Sequence, residues 1–159
     1  MSKRIEDIVQ ISVVACLYAV LTVTFSSFSY LPAQFRIGEL IKPISTFQKK
    51  FVLSMMIGNF LSNLFSPFAG PMELIFMPLS NLIGCLLGYY IGKYSNKFLG
   101  SIFIGIWIST SVAITLKIAA NFPFVQTFTG VLFAETILMT AGYLILLIVF
   151  KKGGLKIDG

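Results

Sequence analysis

Polar positions are sparse in this chain, and they gather in short clusters that separate long apolar runs. After Met1-Ser2-Lys3-Arg4-Ile5-Glu6-Asp7 an apolar run covers 8–30. It is too long for the core of a secretory signal, and no small-x-small cleavage site in a polar context follows it, so it predicts a first membrane helix. A shorter element, interrupted by Pro43, is predicted over 38–47, and a third over 50–65. Ser66-Pro67-Phe68-Ala69-Gly70-Pro71 is a turn, because its two prolines and glycine do not continue a helix. The apolar stretches 72–94, 98–121 and 127–150 predict three more helices, followed by a polar tail. The pattern predicts an all-α membrane protein with six transmembrane helices, a single domain over 1–159 with no internal repeat.

Composition agrees. Hydrophobic residues make up 57% of the chain and charged residues 11%, with a mean hydropathy of +0.91. Soluble domains run nearer a quarter charged, so an ordinary soluble domain, a disordered tail and a coiled coil are excluded. A span takes about 20 apolar residues, so the chain holds roughly six spans and has no room for a soluble catalytic domain. It has no His, which removes the commonest general base and metal ligand. No nucleophile stands beside a base, and an enzyme is not expected. Cys16 and Cys85 lie in apolar stretches without metal-ligand spacing and read as small hydrophobes, so no metal is expected. Gly88-Tyr89-Tyr90-Ile91-Gly92-Lys93 is one residue short of a phosphate loop and lacks the following Ser or Thr. The chain is therefore expected to hydrolyse no ATP itself.

The net charge of +6 would suggest nucleic acid in a soluble protein. Here Lys3 and Arg4, Lys49 and Lys50, Lys93 and Lys97, and Lys151, Lys152 and Lys156 all fall on one side of a six-helix topology. The positive-inside rule makes that side, with both termini, cytoplasmic. Nine of the twelve basic residues are explained in this way. Apart from Glu6, Asp7 and Asp158 on the same rim, six charges remain: Arg36, Glu39, Lys42, Glu73, Lys117 and Glu135. They lie in the outward half or the outer loops, with Glu135 eight residues into the 127–150 helix, roughly 12 Å along its axis. A charge at a helix centre costs roughly 2.5–3.5 kcal/mol on insertion scales, so such residues face a cavity or a partner. Pairing among themselves as interhelical glue is one reading; a polar binding cavity open to the outside is the other, and the two are compatible.

Uncharged polar groups favour the cavity. Asn59 and Asn63 share one helix face at i, i+4, Asn81 follows Glu73 at i+8, and Trp107 marks the fifth helix. Amides donate and accept together, which suits the edge of a heterocycle. Small residues at four-residue spacing, Ser80, Gly84, Gly88 and Gly92, predict close packing between helices, and Ala15 and Ala19 form an A-x-x-x-A pattern on the first helix.

The segment Ala33-Gln34-Phe35-Arg36-Ile37-Gly38-Glu39-Leu40 resembles the Q-F-R-x-x-E-x-L segment of the queuosine-precursor group of S components of energy-coupling factor (ECF) transporters. Gly58-Asn59-Phe60 through Ser66-Pro67-Phe68 is similar to that group's third helix and outer turn. Glu73-Leu74-Ile75-Phe76, Ala134-Glu135-Thr136-Ile137 and Gly142-Tyr143-Leu144 resemble its later segments, and the likeness covers nearly the whole chain. Two departures stand out: Glu73 where the group has Asp, and Ser80-Asn81 where it has Ala-Thr.

The resemblance implies a six-helix S component in a bacterial plasma membrane. Such a protein binds a vitamin-like molecule from outside, docks on a transmembrane coupling protein with two ATP-binding cassette ATPases, and topples to release its cargo. ATP is the partners' cofactor and not this chain's. Ala15 and Ala19 would form the docking face, and 30–36 a lid. The implied substrate is a 7-deazaguanine such as queuine or 7-cyano-7-deazaguanine. Its N1–H and N2–H donors suit a carboxylate, Glu135 or Glu73, while Asn59 donates to the acceptor edge and Arg36 or Trp107 stacks on the ring. Glu39, Asn63, Asn81 and Lys117 complete the expected substrate-binding set. An S component for riboflavin, thiamine or another base, and a structural membrane protein that binds nothing, are the alternatives.

Overall fold

The computed structural model describes residues 2–29, 34–153 and 157–158, and every regular element among them is helical. Helix α1 covers Lys3–Thr24 and is followed by the single turn α2, Ser26–Ser29. A 3-10 turn over Ile37–Ile41 leads to the short helix α3, Ile44–Phe47. Helix α4 runs Phe51–Asn63. A π-helical turn over Met72–Phe76 opens α5, Met77–Tyr94. Helices α6, Lys97–Ala120, and α7, Phe124–Lys152, complete the bundle. Four helical stretches are long and apolar enough to cross a membrane: α1, Met72–Tyr94, α6 and α7.

Two predicted spans differ from expectation. The predicted third helix is a helix of 13 residues, shorter than a bilayer span. The predicted second helix over 38–47 is two short pieces broken at Pro43, which has no N–H to give a continuing helix. This segment nevertheless runs the length of the bundle. At its start Arg36 meets Asn63 and Glu73. At its end Phe47 stacks on Phe150 with ring centroids 4.8 Å apart, and the backbone N–H of Asp158 donates to the Phe47 carbonyl over 2.9 Å. Irregular backbone is tolerated at membrane depth where protein surrounds it. Here α1, α5 and α7 do so, and Gly38, Glu39 and the run from Lys42 to Phe47 are buried.

Glycines set how closely that segment is held. A Cβ on Gly38 would strike the Thr22 hydroxyl and the Tyr18 carbonyl, and one on Gly142 would strike the Leu40 carbonyl. The predicted stripe on α5 also serves internal packing: Gly84 lies under Trp107, and Gly88 sits on the backbone of Gly100 in α6.

Lys49, Lys50 and Lys97 gather at one end. Lys50 pairs with Asp7 at 2.7 Å, the Lys49 backbone N–H donates to the Asp158 carboxylate, and the Lys97 ammonium donates to the Thr46 and Asp158 carbonyls. Residues near both ends of the chain thus lie together at the basic end. At the far end Phe68 in the turn after α4 meets Phe122 in the turn after α6, edge to face at 6.1 Å. Lys156 and the lid residues Tyr30 to Ala33 lie outside the described residues.

Candidate functional site

Five charged side chains are buried inside this apolar bundle: Arg36, Glu39, Lys42, Glu73 and Glu135, each no more than 3% exposed. They come from separate parts of the chain. The segment after α1 supplies three, the π-helical turn supplies Glu73 in its first turn, and α7 supplies Glu135. Helix α7 begins at Phe124, just after Pro123, where a missing N–H costs the helix nothing. That start places Glu135 eleven residues in, roughly 16 Å along the axis and deeper than the sequence suggested.

The upper part of the cluster is an arginine–amide–carboxylate network. The Arg36 guanidinium donates to the Asn63 carbonyl oxygen at 2.9 Å and lies 3.8 Å from the Glu73 carboxylate. The Asn63 amide donates to the Glu73 backbone carbonyl at 2.7 Å and to the Asn59 side-chain oxygen at 3.2 Å. The two asparagines therefore share a face, as their spacing predicted. The Asn59 amide nitrogen and the Glu73 Oε2 are buried, and neither has a hydrogen-bond partner among the described residues.

The lower part is a second ion pair. Lys42 pairs with Glu39, three residues before it, and the Tyr18 hydroxyl on α1 donates to Glu39 Oε1 at 2.5 Å. The Lys42 ammonium also lies over the Tyr18 ring, 5.7 Å from its centroid. Glu135 faces this pair from α7, with Glu39, Lys42 and Arg36 as its neighbouring charges. Its Oε2 is buried without a hydrogen-bond partner among the described residues.

Asn81 is fully buried on α5, on the helix face that also carries Met77 and Cys85. Its amide donates to the Met77 carbonyl, and its Oδ1 is unpartnered among the described residues.

Three of the predicted residues lie apart from this cluster. Lys117 is exposed, one position beyond buried Leu116 and so rotated off the packed face of α6; a lysine at a span's end reaches the interface and not a cavity. Trp107 does not join the charges. Its indole N–H donates to the Ser80 carbonyl and hydroxyl at 3.0 and 2.9 Å, and its ring lines an apolar groove of about 540 Å³ between α5 and α6, with exposed Leu79, Ile83 and Ile106. Ala15 is 1% exposed because Gly58 of α4 packs on its carbonyl, so half of the A-x-x-x-A pattern is consumed inside the chain. Ala19 instead borders an open groove of about 470 Å³ with Cys16, Val20, Val23, Leu61 and Leu64.

Sequence reasoning missed Tyr18 and Gln34. Tyr18 is fully buried and anchors Glu39, and the one signal was a phenol in the middle of an apolar helix. Gln34 is 2% exposed, with Oε1 unpartnered among the described residues; its signal was its place two residues before Arg36. Lys42 stood out as an isolated charge without being assigned to the site.

This arrangement presents buried acceptor oxygens at Glu73 and Glu135 and a buried donor at Asn59, none with a hydrogen-bond partner among the described residues. Among the described residues no cluster of His, Cys, Asp and Glu suits a metal ion. The family described as QueT transporter matches residues 8–151 of the chain. The protein named queuosine precursor transporter QueT, from Lactococcus lactis subsp. cremoris, is 34% identical over 136 residues, covering 79% of this chain and 80% of that protein. No solved structure matches the chain.

Proposed function

The chain belongs to the QueT transporter family, and from that membership we propose that it is the S component of an ECF transporter that captures a queuosine precursor of the 7-deazaguanine class. The observation that carries this reading is the buried polar cluster. Three carboxylates, two cations and two coupled asparagines are buried inside a bundle that also has an aliphatic and aromatic core. Charges inside a membrane are costly, and they are retained where they meet a cargo.

The chemistry fits a guanine-like edge. Among the described residues the Glu73 Oε2 and the Asn59 amide nitrogen have no hydrogen-bond partner, which leaves the first to N1–H and N2–H donors and the second to the O6 acceptor. The basic end is the cytoplasmic side by the positive-inside rule, so the Arg36–Asn63–Glu73 end opens outward. Six crossings are completed by the 36–47 segment and α4, and both termini are cytoplasmic. Energy comes from the coupling protein and its two ATPases, which meet the protein along α1 and the groove beside Ala19.

Two internal ion pairs also suit a structural protein that uses charge as interhelical glue. Thermal unfolding of the purified protein separates the two readings. A 7-deazaguanine at 100 times its Kd should add about 2.7 kcal/mol of stability, while riboflavin and thiamine add none. A melting temperature unmoved by every 7-deazaguanine would overturn the transport reading in favour of glue.

A further inference from the structure

We propose that α3 is an inner gate at the basic end of the bundle, and that Asp158 is the clasp that holds it shut. The use of such a gate rests on the transport reading, while its existence is read from contacts at the end of the bundle away from Glu73.

The clasp is built on an extended residue. Helix α3 ends at Phe47, and Gln48 after it has φ −139° and ψ 124°. An extended residue turns the carbonyl before it and the N–H after it to the same side. Asp158 takes both. Its backbone N–H donates to the Phe47 carbonyl at 2.9 Å, and its carboxylate accepts from the Lys49 N–H at 2.7 Å. The same residue reaches two more helices. Its carbonyl accepts from the Lys97 ammonium at the start of α6 over 3.2 Å, and that ammonium also donates to the Thr46 carbonyl of α3 at 3.2 Å. The Tyr89 hydroxyl of α5 lies against the Asp158 carboxylate. One residue beyond α7 thus ties the end of α3 to α5 and α6.

The surroundings of α3 allow it to move once this clasp opens. The break at Pro43 separates α3 from the 3-10 turn before it, so α3 can swing about Lys42 without unwinding a longer helix. A cavity of about 230 Å³ borders it, lined by Ile44 and Gln48 together with Gln10 of α1, Phe51 of α4 and Phe150 of α7, and gives the displaced turn room. The clasp is also the wet part of the assembly: Lys49 is exposed and Asp158 half-buried, whereas Ile44 to Phe47 are buried. Polar contacts at a wetted edge contribute less than those inside and open first. What α3 covers is Cys85 of α5, which is fully buried with Ser45 and Lys42 as neighbours. Lys42 adjoins Pro43, so the wall that hides Cys85 also closes the charge cluster toward the basic end.

Cys85 is therefore a native reporter of the gate in the purified full chain, with the exposed Cys16 replaced by Ser. Labelling by a charged, water-soluble maleimide should be slow in that parent and absent when Cys85→Ser is added. Asp158→Ala and Lys97→Gln should each speed labelling about tenfold or more, the shift in an opening equilibrium when one charge-assisted hydrogen bond is lost. Asp7→Ala breaks the Lys50 pair at the same end and should leave the rate unchanged. Hydrogen exchange separates gate opening from general loosening: in both clasp variants the Lys49 amide should exchange faster, and the α6 amides from Ile104 to Leu116 at the parent rate. Labelling of the clasp variants at the parent rate, an equal acceleration by Asp7→Ala, or faster exchange along α6 would overturn the inference. Should Asp158→Ala not fold, Lys97→Gln decides. No arm contains a ligand, so the gate can fail while the transport reading stands, and melting temperatures unmoved by 7-deazaguanines would remove that reading without touching the gate.

Discussion

Arg36 connects the Asn63 carboxamide to a carboxylate, Glu73, that has no other cation within ion-pair distance among the described residues. Truncating it leaves Glu73 buried and uncompensated, so Arg36→Leu should lower unfolding stability by about 3–5 kcal/mol. The double variant Arg36→Leu/Glu73→Leu should recover most of that loss, because an apolar pair replaces a buried ion pair at little cost. It should nevertheless bind no 7-deazaguanine. Recovered stability together with retained ligand affinity, measured by thermal unfolding and calorimetry, would assign the pair to packing alone. These residues were legible because a charge in an apolar sequence is conspicuous whatever the fold. Tyr18 and Gln34 were not. A tyrosine in a lipid-facing helix reads as apolar, and its hydroxyl acquires meaning once Glu39, 21 residues later, lies against it. Lys117 misled for the opposite reason: near a helix end one residue's rotation separates a cavity from the interface, and sequence spacing alone does not give the phase.

The segment from Arg36 to Phe47 crosses the bundle as a 3-10 turn and a single helical turn joined at Lys42 and Pro43. Its apolar residues and its proline marked it as short and broken. Its packing against α1, α5 and α7 was not readable, because hydrophobic periodicity reports one buried face and here polar Glu39 and Lys42 are buried along with the apolar residues. Gly142 makes that packing possible by removing the side chain that would meet the Leu40 carbonyl. Gly142→Ala should therefore displace the segment and destabilise the protein by about 1–3 kcal/mol, as overpacking does. It should weaken ligand binding as well, since Glu39 and Lys42 ride on the same backbone. Gly70→Ala is the control, with its nearest contact for a Cβ at 3.7 Å. Equal unfolding temperatures for the two variants would show that the segment yields freely.

At the scale of the molecule, α1 is the least buried of the four long spans, and its flank with α4 is an open apolar groove. Ala19→Trp fills the groove without entering the interior, so association with the coupling protein should be lost while stabilisation by ligand persists. Ala15→Trp would force a large ring between α1 and Gly58, and its expected effect is misfolding. Co-purification with the coupling protein and thermal unfolding of each variant check both outcomes; normal assembly of Ala19→Trp would remove the groove from the docking surface. The buried crossing has a further consequence, for the order in which the protein is built. Glu39 and Lys42 each cost about 2.5–3.5 kcal/mol to place in bare lipid, and the backbone between them is not a regular helix that satisfies itself. That segment is made before α7, yet its resting place is closed on one side by that helix. The segment is therefore expected to wait at the membrane surface until that helix arrives, which would make the buried charge cluster a late part of the molecule to form.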